Sequence, residues 1–254
     1  MPFIASIGYS LGYNTLTHGG EINRSNLIIW LEASNYTSGS TWPNLITGQT
    51  TYTLVNGPTT SNVTYNGKNT TGISFNGTNQ YTFPAASLLT AAQSNNWAET
   101  KELWYYNRSG NGTFFSEQGT TTLDGSWYDY QGGLLNTSLI YSLWQGVSQT
   151  AFTANTGMQP DTWYHIVWQH NKTNNQFLAY VNGTLTMNTT AARVTPDSIG
   201  SQYYIFLAAR TTTNPVASST YFNGLIGAFR WYNTVLTAAQ IRSNFEAQRA
   251  TYGV

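Results

Sequence analysis

The sequence predicts an all-β protein, a sandwich of two antiparallel sheets with one short C-terminal helix. Strand-favouring residues are abundant, since aromatic residues make up 15% of the chain and threonine occurs 39 times. Short runs of these residues alternate with turn signals, which is typical of a sandwich. The strongest signal is the Asn-Gly pair, the preferred sequence of tight hairpin turns. Such pairs begin at Asn56, Asn66, Asn76, Asn111, Asn182 and Asn223.

The clearest hairpin covers residues 176–187. Phe177, Ala179 and Val181 would share one face, because side chains alternate along a strand. Asn182 and Gly183 supply the turn and would place Val181 opposite Thr184. Other runs with strand character are 27–31, 72–75, 102–106, 112–115, 139–144, 163–168, 203–208 and 225–232.

A single helix is predicted over residues 238–250. Thr237 and Gln240 have the spacing of a capping box, in which each side chain binds the backbone N–H of the other residue. Gly253 stands where a helix of this length would end.

Charge is scarce and balanced. Charged residues make up 8% of the chain, with ten basic and ten acidic side chains, against roughly 25% in an average soluble domain. This composition excludes a nucleic-acid binder that works through clustered cations, and no apolar run is long enough for membrane insertion. Polarity rests on asparagine, serine and threonine. A chain with no net charge to keep copies apart is expected in an assembly or on a surface.

The sequence offers few residues for metal or cofactor chemistry. It has no cysteine, so it can form neither a disulfide nor a thiolate zinc site. His18, His165 and His170 are scattered along the chain, and phosphate-binding or dinucleotide motifs are absent. We therefore predict no metal and no cofactor. Residues 1–9 lack a cationic start and a long apolar stretch, which predicts a chain made without a secretory signal.

Four segments of the chain form an ordered set of motifs: a strand and turn at 27–45, a strand and turn at 72–81, a hairpin region at 161–183, and a last strand and helix start at 222–241. In this order they resemble the segments of laminin G-like domains, which belong to the concanavalin A-like lectin/glucanase superfamily. This resemblance implies a jelly roll. It divides the chain into an N-terminal arm, residues 1–26, and a jelly-roll domain, residues 27–254. The arm is expected to pack on a neighbour or on the sandwich edge.

Asparagine replaces a frequent aspartate of this family at three positions, Asn44, Asn76 and Asn182. An amide keeps the turn geometry but carries no charge. Since calcium prefers several anionic oxygens, the exchange disfavours a calcium site of the family type.

Glycoside hydrolysis needs two carboxylates about 5 to 10 Å apart. Glucanases of the resembled superfamily carry them in an E-x-D-x-x-E motif, which is absent here. The nearest pairs are Glu99 with Glu102 and Asp124 with Asp129. Glu99 and Glu102 would face opposite sides of a strand, and Asp124 precedes a glycine in a predicted turn. We therefore predict no catalytic residues and no enzymatic activity.

Aromatic side chains crowd the middle third of the chain and form a candidate glycan platform. A flat ring covers the apolar C–H face of a sugar, while neighbouring amides and hydroxyls bind its hydroxyl groups. Alternation would turn half of these rings into the core, and tyrosine and tryptophan are equally typical of protein interfaces. The candidate ligand-binding residues are Trp104, Tyr106, Trp127, Tyr128, Tyr130 and Trp144.

Composition and resemblance together predict a non-enzymatic structural or decoration protein of a virion, because laminin G-like modules of this style occur in phages and large DNA viruses. It would lie on the capsid or tail surface, contact other virion proteins or further copies of itself, and attach the particle to host glycans. The alternative is a stand-alone, extracellular carbohydrate-binding lectin. A glycoside hydrolase is the third hypothesis.

Overall fold

The computed structural model describes residues 20–254 except 110, 120–126, 136, 146–147, 191–201 and 211–220. Within these ranges the strands form two antiparallel sheets, each of eight strands. Their facing sides bury one large hydrophobic core. The predicted all-β sandwich is therefore confirmed.

The first sheet, which we call the back sheet, carries the C-terminal helix on its outer face. Its strands are β1 (Leu27–Glu32), β4 (Thr59–Tyr65), β5 (Lys68–Asn76), β7 (Glu99–Asn107), β12 (Thr162–Asn171), β13 (Gln176–Val181), β14 (Thr184–Thr190) and β16 (Asn223–Tyr232). They run in the order β14–β13–β12–β7–β16–β5–β4, and β1 also pairs with β16.

The second sheet, the front sheet, covers the other side of the core. Its strands are β2 (Thr41–Trp42), β3 (Tyr52–Val55), β6 (Tyr81–Pro84), β8 (Gly112–Gln118), β9 (Trp127–Leu135), β10 (Ser138–Gln145), β11 (Ser148–Asn155) and β15 (Tyr204–Leu207). Their order is β11–β10–β9–β8–β15–β6–β3–β2. Every predicted run falls on a strand of one of the two sheets. A short helix, α1 (Leu89–Ser94), was not predicted.

Two of the predicted Asn-Gly turns close hairpins as expected. The φ angles are 45° and 75° at Asn66 and Gly67, and 49° and 73° at Asn182 and Gly183. Tyr65 pairs with Lys68 and Val181 with Thr184 across these turns. The pair at Asn223 is different, because it lies inside β16, and a turn there is wrong. Gly224 is needed for close packing, since a Cβ atom would lie 2.2 Å from the Tyr106 carbonyl oxygen of the neighbouring strand.

The C-terminal helix, α2 (Ala238–Tyr252), forms where the capping box predicts it. The side chains of Thr237 and Gln240 bind each other's backbone N–H groups, and Gly253 ends the helix in the left-handed conformation, at φ 72°. Phe245 and Tyr252 pack against the back sheet. In the described ranges neither helix has the length and hydrophobicity that a membrane span requires.

A buried ionic network lies between the back sheet and α2. Arg230 binds Glu102 and Glu32, each at 2.5 Å, and donates to Gln248 at 2.6 Å. Asn244 donates to Glu102 at 2.6 Å. Burial alone would raise the pKa of Glu102, but Arg230 and hydrogen bonds outweigh burial and lower this pKa to about 2. The network thus joins β1, β7 and β16 to the helix.

The chain just before β1 also contacts α2. The backbone N–H of Glu21 donates to the Ser243 hydroxyl at 3.0 Å, and that of Asn23 to the Asn244 amide oxygen at 2.7 Å. The end of the N-terminal arm therefore lies along this helix. Residues 1–19 of the arm are outside the described ranges.

Candidate functional site

The first two residues of the predicted glycan platform lie beneath α2. Trp104 has no exposed surface, and its ring stacks on Tyr252 with 4.1 Å between centroids. Tyr106 is 9% exposed and contacts Trp163. These two rings therefore build the core under the helix, and Trp104 offers no open face to a sugar. Strand alternation alone could not show that a helix covers this side of the sheet.

The remaining platform residues lie on the front sheet. Trp127, Tyr128 and Tyr130 are on β9, and Trp144 is on the neighbouring strand β10. Their side chains are outside the described part of the structure. Their role in sugar binding stays a prediction.

Four aromatic rings cluster on the outer face of the front sheet. On β6, Tyr81 and Phe83 alternate with Thr82, which is buried. On β15, Ile205 and Leu207 belong to the core between the sheets. Phe206, which alternates with them, therefore faces outward. Tyr221 joins from the chain before β16. We call these four residues, Tyr81, Phe83, Phe206 and Tyr221, the ring cluster.

The ring cluster is stacked and partly open. Centroids of Phe83 and Phe206 are 5.0 Å apart with an angle of 14° between the ring planes. The ring centroid of Tyr81 lies 5.8 Å from that of Phe206 and 6.5 Å from that of Tyr221. These distances are typical of favourable aromatic pairs. Phe206 is fully buried, whereas Tyr81, Phe83 and Tyr221 are each half-buried.

Amide side chains border one end of the ring cluster. Asn56 donates to the Asn79 carbonyl oxygen at 2.7 Å, and Gln80 donates to the Asn56 carbonyl oxygen at 3.1 Å. Asn56 and Asn79 are exposed. Burial and the neighbouring Tyr221 raise the pKa of Tyr81, so its hydroxyl stays protonated and can donate. Apolar ring faces therefore lie next to uncharged donors and acceptors, a combination suited to sugars.

Sequence reasoning missed the ring cluster, although a signal was present. The run 203–208, which contains β15, is aromatic or aliphatic at every position. In β6 the rings of Tyr81 and Phe83 alternate with Thr82 and Pro84 and so share one face. An apolar outer face on a sheet marks a contact surface. Rings from distant segments meet here because β6 and β15 are adjacent in the sheet.

The predicted division of Glu99 and Glu102 between two faces is confirmed. Glu102 binds Arg230 beneath α2, whereas Glu99 accepts from the Trp231 indole at 2.9 Å, inside the sandwich. Both carboxylates are buried. Of the second pair, Asp124 and the side chain of Asp129 are outside the described residues.

Among the described residues, no group of three or more histidines and carboxylates converges in a way that could hold a metal ion. The amide of Asn44 has another use. Its oxygen accepts from the N–H groups of Trp30 and Ile46 at 2.9 and 3.1 Å. Its nitrogen donates to the carbonyl oxygens of Ile28 and Thr50, both at 3.0 Å. An aspartate could accept the first two hydrogen bonds, but it has no N–H group with which to donate the other two.

We therefore expect Asn44→Asp to lower the free energy of unfolding by about 1–3 kcal/mol, because a carboxylate would face two carbonyl oxygens left without donors. Asn182→Asp is the control, since the Asn182 oxygen accepts from the His165 N–H at 3.0 Å and an aspartate keeps that bond. Urea denaturation of the two variants measures the difference. Equal losses would show that donation by Asn44 is unimportant.

A family model of laminin G-like type, described as concanavalin A-like lectin/glucanases superfamily, matches residues 75–242. The chain belongs to this superfamily. The match contains the hairpin region and the closing strand on which the predicted resemblance rested, while the segment at 27–45 lies upstream of it. No curated protein sequence matches the chain.

Solved structures share the fold of this concanavalin A-like chain at low sequence identity. A Trypanosoma rangeli sialidase has a TM-score of 0.65 and 15% identity, over 91% of this chain and 34% of its own. Botulinum neurotoxin type C, whose cell entry depends on two ganglioside molecules, has a TM-score of 0.60 and 12% identity, over 87% of this chain and 51% of its own. The chain thus spans about half of the neurotoxin chain and a third of the sialidase.

One similar structure is a separate domain of comparable size. Domain 4 of AbnA, a GH43 extracellular arabinanase from Geobacillus stearothermophilus, was solved in complex with arabinotriose. It has a TM-score of 0.54 and 16% identity, and the similarity covers 87% of this chain and 98% of that domain. The concanavalin A-like chain therefore has the lectin-like jelly-roll architecture that the resemblance implies.

Proposed function

We propose that this chain is a carbohydrate-binding module, and that the ring cluster on the front sheet is its binding surface. The observation that carries the proposal is the half-buried ring stack beside exposed, uncharged amides. Tyr81 and Phe83 present apolar surface to the C–H face of a sugar ring. Asn56, Asn79 and the Tyr81 hydroxyl bind sugar hydroxyl groups. Superfamily membership and the likeness to an arabinotriose-bound domain support this assignment.

Binding rather than hydrolysis is the second part of the proposal. A glycosidase needs one acid and one base or nucleophile on either side of the scissile bond. Glu102 is ionised and paired with Arg230 under α2, and Glu99 is enclosed between the sheets. A sugar on the ring cluster reaches neither carboxylate, because Glu99 points into the core and Glu102 points away from the front sheet.

Removing the two half-buried rings of β6 should weaken binding strongly. We expect the double variant Tyr81→Ala/Phe83→Ala to bind a glycan selected by the wild type at least about ten-fold more weakly, because both partners of the apolar contact are lost. A glycan array selects the sugar, and calorimetric titration measures the affinity. The control is Leu185→Ala, which removes a 46% exposed apolar side chain from β14 of the other sheet.

Two results would oppose the proposal. One is a folded wild type that binds no sugar on the array. The other is a double variant that keeps wild-type affinity while circular dichroism shows native structure. Release of reducing sugar from a bound polysaccharide would oppose the non-enzymatic part alone.

A virion location is a second proposal, compatible with the first. It is supported by the low charge of the chain and by the burial of Glu32, Glu99, Glu102 and Glu117, which leaves little charge on the surface. In this setting the module would decorate the particle and attach it to host glycans. Mass spectrometry of purified particles from the native source tests this location, and absence from them would reject it.

A further inference from the structure

A lysine and two glutamates meet inside the sandwich, away from the ring cluster and the network under α2. Lys101 projects from β7 of the back sheet, and Glu117 projects from β8 of the front sheet. The Lys101 Nζ atom lies 2.7 Å from Oε1 of Glu117 and 2.5 Å from Oε1 of Glu99. The three groups thus connect the two sheets at one point.

This cluster is buried. The side chains of Lys101, Glu99 and Glu117 are 2%, 4% and 0% exposed, and the ring of Phe115 lies 5.1 Å from Nζ. A lysine amine that has transferred a proton to a carboxylate is a nucleophile, and Nζ contacts two carboxylates here.

We propose that Lys101 and Glu117 condense to an amide that covalently joins the two sheets. The Nζ lone pair forms a bond to Cδ of Glu117, and one C–O bond of that carboxyl group breaks. Nζ loses two protons, and the departing oxygen takes them up and leaves as water. The balance is one ammonium and one carboxylate converted to one secondary amide and one water, with no oxidant or co-reactant.

Glu99 is placed to carry the protons of this step. Its Oε1 atom contacts Nζ, while Oε2 accepts from the Trp231 indole at 2.9 Å and lies 3.5 Å from the Tyr203 hydroxyl. These contacts hold one oxygen against the reacting amine. Glu99 accepts a proton from Nζ and delivers it to the leaving oxygen, which makes it the catalytic residue of the condensation.

Two features favour the reaction. Groups held in a reactive geometry reach effective molarities on the order of 10⁵ M or more, which accelerates a condensation that is slow between free groups. Condensation also converts the buried Lys101–Glu117 ion pair into a neutral amide, while Glu99 keeps the Trp231 indole as a donor. In a chain without cysteine, the amide would be a covalent link between sheets that reducing conditions leave intact.

Intact-mass spectrometry of the full chain tests the proposal. We expect a mass lower by about 18 Da than the sequence value, the mass of one water. Proteolysis with fragment sequencing should recover the segments containing Lys101 and Glu117 as one branched peptide. This measurement uses the wild type alone and therefore does not depend on any variant folding.

Variants separate the roles of the three residues. Lys101→Arg should show its full sequence mass, because a guanidinium stays protonated and does not attack. Glu99→Gln should retain the full mass in most molecules, since its amide cannot accept the proton. Glu117→Gln should condense with loss of ammonia, about 17 Da, and give the same amide. Lys172→Arg, a change in the turn after β12, is the control and should keep the deficit.

A folded wild type with the full sequence mass would overturn the proposal. So would a water loss that fragment spectra place elsewhere, for example at the Asp124–Gly125 peptide, where a succinimide can form. A deficit that persists in Lys101→Arg would exclude Lys101 as the nucleophile and would also reject it.

Discussion

Arg230→Met should lower the free energy of unfolding at neutral pH by about 3–5 kcal/mol, because it leaves Glu102 and Glu32 buried without their shared cation. Arg230 is fully buried and bonded to both carboxylates at 2.5 Å. Methionine fills a similar volume, so the loss reports the charge rather than a cavity. Urea denaturation followed by tryptophan fluorescence measures it.

The pH dependence of this loss provides a second measurement. In the wild type the pKa of Glu102 is lowered from 4.5 to about 2. This carboxylate therefore contributes stability that is complete above pH 4.5 and is lost as the pH falls towards 2. Without Arg230, only the contacts with His165 and Asn244 oppose burial, so the pKa of Glu102 is higher than in the wild type and acid protonates this carboxylate more readily. The difference between wild type and variant should therefore narrow on acidification.

Arg242→Met is the matched control for Arg230→Met. Arg242 pairs with Glu246 on the exposed side of α2, and its side chain is 51% exposed. We expect a loss below about 1 kcal/mol, because water screens such a pair. Similar losses for the two arginines, or a pH-independent difference for Arg230→Met, would contradict the account of the buried network.

Trp104→Ala should also cost about 3–5 kcal/mol, because it empties the centre of the contact between the back sheet and α2. The Trp104 ring stacks on Tyr252, with Phe245 at 5.9 Å and His165 at 5.0 Å. Chemical denaturation measures the change, and the truncation of the exposed Leu45 to alanine serves as the control, with an expected change within about 0.5 kcal/mol.

This variant also distinguishes the aromatic core under α2 from the ring cluster on the front sheet. At a temperature where Trp104→Ala is folded, its affinity for sugar should equal that of the wild type, since Trp104 is on the opposite sheet from the ring cluster. Loss of sugar binding with little loss of stability would instead restore Trp104 to the binding platform.

Much of the fold is predictable because its signals are local. Thr237 and Gln240 sit at capping-box spacing in any environment, and the pairs beginning at Asn66 and Asn182 adopt turn angles that few other residues tolerate. The polar strands β4 and β11 were not predicted, since their pairing depends on a neighbouring strand rather than on their own pattern. The turn predicted at Asn223–Gly224 is wrong for a related reason. Packing of this pair against Tyr106 of the neighbouring strand overrides its local preference for a turn.

The candidate site is less predictable because it is assembled in three dimensions. Alternation divides the residues of β7 between two faces but does not show which face α2 covers. The sequence therefore predicts that Trp104 lies on a strand, but not that it lies beneath a helix. The ring cluster joins residues from β6, from β15 and from the chain just before β16, which meet only through strand order. The contact of Lys101 with Glu117 likewise depends on how the sheets stack.

The most direct test of sugar binding at the front sheet is a crystal structure of the chain with an oligosaccharide chosen from the glycan array. The account predicts a sugar ring lying with its C–H face on Tyr81 and Phe83, and hydroxyl groups bonded to Asn56 or Asn79. An oligosaccharide bound elsewhere, with the ring cluster untouched, would contradict it.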